Sequence, residues 1–158
     1  MLLDTVRRYG SLYLRLALAA GFLASVTDRL GLWGRPGAQN VSWGNLQRFM
    51  AYTAQLNPWA PTALVPAIAW FVTVAESALA CALLLGLYTR WSGFLSGVLI
   101  LLFGLGMTIA LGVKLALDFS VFAASAAGFG LAALESYPWS IDSLKSSRPG
   151  LRPRTDSA

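Results

Sequence analysis

Glu76 is the only charge in the run TVAESALACALLLGLYTRW before Arg90 closes it. A carboxylate at bilayer depth is costly, so such a residue faces a bundle interior or a cavity, where it can pair with a cation or carry a proton. The cations within reach are set by spacing. In the first apolar segment, SLYLRLALAAGFLASVTDRLGLW, Arg15, Phe22 and Arg29 repeat every seven residues and share one stripe. Ala69, Thr73, Glu76 and Ala80 form a small, polar stripe on the next segment. Arg15 and Arg29 each lie roughly 10 Å in depth from Glu76, one below and one above, so either can be its partner. Lys114 and Asp118 follow the third apolar segment and come to the same end of the bundle as Asp28 and Arg29. This set predicts a polar pocket with two kinds of residue. Arg15, Arg29, Lys114 and Thr73 hold an anionic or quinone oxygen, and Glu76 or Asp118 moves a proton. The architectural alternative is a buried ion pair that fixes helix register.

Composition says what must carry these residues. Of 158 residues, 56% are hydrophobic and 12% charged, against roughly 25% charged in an ordinary soluble domain. The mean hydropathy is +0.61. The chain has no histidine and one cysteine, Cys81, which leaves no internal disulfide, no dithiol couple, no metal site and no covalently held cofactor to expect. Cys81 itself is expected as a small buried hydrophobe. The lipid bilayer is the first partner. The net charge of +5 reads as membrane topology and attraction to anionic lipid, not as nucleic-acid binding.

The expected fold class is all-α integral membrane, an antiparallel four-transmembrane-helix bundle with a short amphipathic helix in the first outer loop. The spans are drawn at 11–33, 67–88, 92–113 and about 116–134, each near the 20 residues needed to cross the hydrocarbon. Between the first two, Trp43, Leu46, Phe49, Met50, Thr53 and Leu56 recur at helical spacing, with Ser42 as the expected N-cap. Gly93, Gly97, Gly104, Thr108 and Gly112 read as a small-residue packing seam. One domain covers 1–138, and 139–158 is a basic tail expected to be disordered. Arg7, Arg8, Arg90, Lys145, Arg148, Arg152 and Arg154 fall on one side; Arg29, Arg35, Arg48 and Lys114 fall on the other. By the positive-inside rule both termini are cytoplasmic.

Three stretches resemble the DoxX family of small four-helix bacterial membrane proteins: LYLRLALAAGFLASVTDRLGLWG, AESALACALLLGLYTRWSG and MTIALGVKLALDFSVFAASAAG. Together they cover most of the chain from Arg15 to Leu134. By position, Arg15, Glu76 and Arg90 match the family's recurring polar residues, while Thr27-Asp28-Arg29 stands where a lysine is expected. The resemblance implies an inner-membrane subunit linked to quinone and to sulfur or thiol redox chemistry, acting with a protein partner or as a homo-oligomer. It also implies a membrane partner or assembly role. The absence of histidine, the single cysteine and the lack of a nucleotide motif support the alternative, a non-enzymatic scaffold, assembly factor or bundle that binds or transports a small solute.

Overall fold

The computed structural model describes residues 2–146. They form α1 (Leu2–Arg29), α2 (Leu46–Leu56), α3 (Val65–Leu85), α4 (Thr89–Leu111), α5 (Val113–Asp118), α6 (Val121–Ala133) and α7 (Ile141–Ser146), with no strand among the described residues. Three stretches, Thr5–Arg29, Thr62–Leu85 and Thr89–Leu111, are long and apolar enough to cross a membrane, and Val121–Ala133 is a shorter apolar helix. By length and composition this is a multi-span helical membrane protein.

The fourth apolar segment differs from the single helix drawn at 116–134. Gly112 (φ 94°) ends α4, and Ser120 (φ 54°) separates α5 from α6. The break leaves α6 with 13 residues, about 20 Å at 1.5 Å per residue. It also leaves Lys114 and Asp118 exposed on the short α5, which an uninterrupted apolar helix would have carried along the bundle.

Helices α1 and α3 run antiparallel, since Arg15 meets Leu83 and Arg29 meets Thr73. The closest packing is between α4 and α6. A Cβ on Gly128 would lie 2.6 Å from the Gly97 nitrogen, and one on Gly104 would press on Phe122 and Val121. Ser125 Oγ donates to the Gly97 carbonyl at 2.8 Å. The predicted seam is therefore filled from within the chain, as expected where small residues let membrane helices approach without a hydrophobic drive. Gly112 belongs to the helix break instead, with no side chain near it. Between the two helix pairs, Leu18, Ala19, Phe22, Ala80, Leu83 and Leu131 form the main core.

The helix in the first loop starts later than predicted. Asn45, not Ser42, is its N-cap, accepting the Arg48 N–H at 2.8 Å. Gly44 has φ 70°, so Trp43 lies outside the helix. Phe49, Thr53 and Leu56 form the buried face of α2, which lies across the end of the bundle where α1 stops. We call this the cap end.

At the opposite end the tail is structured as far as it is described. Asp142, on α7, accepts the backbone N–H groups of Tyr88 and Thr89 and the Thr89 hydroxyl at 2.7–3.0 Å, capping α4. An anion at a helix N-terminus satisfies donors that have no partner within the helix and meets the positive end of its dipole. The first part of the expected disordered tail is thus a docked helix; residues 147–158 lie outside the described residues. Cys81 also departs from expectation. It is exposed on α3, on the outward face with Val74 and Leu84.

Candidate functional site: a buried arginine at the end of a lateral cleft

Arg29 is the last residue of α1, and the chain turns sharply after it. Gly31 (φ 77°) donates to the Asp28 carbonyl, and Leu32 donates to that of Thr27. This pair of bonds is the Schellman ending, which needs a residue able to adopt a left-handed conformation. The turn keeps Arg29 from solvent, and its residue surface is only 2% exposed.

Around the guanidinium, three elements converge. From α3, Thr73 Oγ1 accepts from Nη1 at 3.1 Å, and Glu76 Oε1 accepts from Nη2 at 3.1 Å. Glu76 Oε2 lies 2.7 Å from Nη1, an ion-pair contact without hydrogen-bond geometry. From α2, the Phe49 ring centre lies 3.6 Å from the guanidinium carbon; from the preceding loop, Trp43 lies 5.2 Å away. Stacked aromatic faces attract a planar cation most strongly where water is excluded. Asp28 Oδ2 accepts the Trp43 N–H at 2.8 Å, which fixes the loop over the cluster. Three buried polar atoms of the cluster remain without a hydrogen-bond partner: Arg29 Nε, Asp28 Oδ1 and Glu76 Oε2, the last of them in ion-pair contact.

Arg29 and Glu76 form the polar end of a cleft of about 390 Å³. Its walls are apolar residues of α1, α4 and α6, among them Leu18, Phe22, Ile100 and Ala124. A second groove, about 860 Å³, continues from it between α2 and the α4–α5 corner, sharing Ser25, Trp43, Phe103, Phe119 and Val121. Tyr52 lines that groove. Burial raises its phenol above the ordinary value, so it remains a neutral donor at neutral pH.

The choice left open by spacing is resolved: Glu76 pairs with Arg29. Arg15 goes elsewhere. Its guanidinium donates to four main-chain carbonyls, those of Leu83, Leu84, Pro138 and Trp139, at 2.9–3.2 Å. Lys114 and Asp118 pair with each other at 2.6 Å on the surface of α5 and line neither cavity. Of the six residues predicted for a pocket, the structure brings together Arg29, Thr73 and Glu76. Trp43 and Phe49 were legible in sequence only as the apolar face of a helix. Their stacking on Arg29 depends on how the loop folds back, for which helical spacing carries no signal.

The fold and the cluster define a class: a multi-span helical membrane protein whose buried Arg–Glu pair closes one end of a cleft between helices. Within that class the family is shown. The family model for methylamine utilisation protein MauE matches residues 7–118, and the chain belongs to that family. MauE is a DoxX-related membrane family, and DoxX itself is not the match. The matched stretch contains Asp28, Arg29, Trp43, Phe49, Thr73 and Glu76. No curated protein and no solved structure matches the chain.

Proposed function

We propose that this chain is a membrane subunit of methylamine utilisation that engages a membrane quinone in the lateral cleft and works with a redox partner protein. The observation carrying this reading is Arg29 itself. Its charge is already matched by Glu76, which disfavours a second anion, while its Nε–H has no acceptor. A quinone carbonyl is a neutral acceptor of the right kind, and the apolar walls suit the rest of such a molecule. The cleft volume falls within the roughly 300–1,000 Å³ usual for small-molecule sites.

Reduction of a quinone to a quinol takes up two electrons and two protons. In this reading Arg29 orients a carbonyl, the Glu76 carboxylate takes up the two protons one at a time from the aqueous side and passes each to the quinone, and the partner supplies the two electrons, since one cysteine leaves this chain no dithiol couple. The α5–α6 segment completes a fourth crossing, and both termini lie on the cytoplasmic side. Arg7, Arg8 and Arg90 then mark that side, and Arg35, Arg48 and Lys114 the outer one.

A non-enzymatic assembly or scaffold role is the second reading. It is favoured by the near-complete burial of the Arg29–Glu76 pair, a geometry suited to holding helix register. Mass spectrometry of everything that co-purifies in mild detergent separates the two. Quinone and a redox protein retained by the wild type, with quinone lost from folded Arg29→Gln and Glu76→Gln variants, is the expected result. Lipid alone in the wild type, or quinone retained equally by the variants, overturns the quinone reading in favour of the scaffold.

A further inference from the structure

Beside the lateral cleft, sharing Ser25 and Trp43 with it, lies a third cavity, about 280 Å³, between the end of α1 and the loop that folds over it. Its polar lining comes from Ser25, Asp28, Asn40 and Ser42, and its aromatic lining from Trp33 and Trp43. Asp28 is the only charged residue in that lining. The carboxylate is 6% exposed, one oxygen holds the Trp43 N–H, and the other is buried with no partner. Counted together, the buried charges at this end are one guanidinium, Arg29, and two carboxylates, Glu76 and Asp28, a net of −1. Buried charges of one sign call for a counter-charge, because their solvation is lost.

We infer that this cavity is a binding site for a small organic ammonium ion. The ammonium N–H donors meet Asp28 Oδ1 and the neighbouring hydroxyl and amide oxygens, and the apolar part lies against the two indoles. A protonated primary aliphatic amine is charged at neutral pH like a lysine side chain, whose reference pKa is about 10.4. Indole faces favour such a cation over a strongly hydrated metal ion, since the cation–π attraction grows as the cation is desolvated. The site does not rest on the quinone reading; it shares Ser25 and Trp43 with the cleft but uses none of the cleft's charged residues.

The test is calorimetric titration of the purified full chain, in mild detergent, with methylammonium chloride, with sodium chloride and methanol as controls. Asp28→Asn retains an acceptor for the Trp43 N–H and removes the charge. Trp33→Leu removes one aromatic wall at a position 59% exposed. The expected result is saturable methylammonium binding, weakened at least about 10-fold by Asp28→Asn and a few-fold by Trp33→Leu, with no binding of methanol. Quinone retention is expected to stay unchanged in Trp33→Leu, so that loss of the ammonium site and failure of the quinone reading are read separately. Absence of saturable binding, equal binding of sodium, or wild-type affinity in folded Asp28→Asn each overturns the inference.

Discussion

Two arginines on one helix, four turns apart on the same stripe, have opposite fates. Arg15 and Arg29 are both almost fully buried. At the tail end, Arg15 is spent on main-chain carbonyls. It completes the ending of α3, where Gly86 (φ 65°) donates to the Leu83 carbonyl and Leu87 donates to that of Ala82, and it holds the 138–139 turn against that ending. At the cap end, Arg29 is held by side chains alone, namely a carboxylate, a hydroxyl and two aromatic rings, and keeps one donor unused. The tail end is a closed joint. The cap end is a lined cavity whose polar groups are incompletely satisfied, which is where binding is to be sought.

The largest effect is expected where that contrast is deepest. Glu76→Gln removes the carboxylate in direct contact with the buried Arg29 and should cost about 3–5 kcal/mol, read as a lowered thermal midpoint in detergent. Replacing both partners, Glu76→Leu with Arg29→Met, should recover most of that stability, because an apolar replacement of a buried ion pair is often neutral or better. The double variant should still lose the bound quinone. Recovery of both stability and ligand would mean that the cap end is a joint too.

Arg15→Met strips donors from four carbonyls and should cost about 3 kcal/mol. Its signature is positional: limited proteolysis should open the segment around 138–146 while quinone retention stays at the wild-type level. Loss of ligand with an intact tail would erase the distinction between the two arginines.

Gly86→Ala attacks the same joint through the backbone. A Cβ there would run into Ser140 and the Arg15 guanidinium at a left-handed φ, for an expected cost of about 1–3 kcal/mol, again seen as a lower melting midpoint with ligand retained. The smallest effect is expected from Lys114→Gln. That residue has only an exposed partner one helical turn away, and such pairs contribute little. Neither the midpoint nor quinone retention should move, and a clear loss of retention would return Lys114 and Asp118 to the site.

Much of the architecture was legible. The three long apolar helices follow from composition and span length, and Ala69, Thr73, Glu76 and Ala80 are all buried, as their stripe requires. The seam of Gly93, Gly97 and Gly104 was readable because close helix contact admits few residue types. The broken fourth segment was not. Nothing in the hydropathy of 113–134 distinguishes one helix from two, since the break lies in the left-handed conformation of Ser120, a residue with no strong preference for it. The capping of α4 by Asp142 was equally hidden, because its partners lie more than fifty residues away.

The sequence by itself determined that this is a helical membrane protein, that Glu76 turns inward, and that two arginines on a single stripe compete for it. Helical periodicity sets the face of each residue but not the relative depth of two packed helices. Only the tertiary structure decided that Arg29 takes the glutamate while Arg15 closes the far end. It alone folded the 31–45 loop so that Trp43 and Phe49 cover the pair and Asp28 keeps an oxygen free. Those contacts depend on long side chains and a loop path, and neither is encoded in any local pattern of residues.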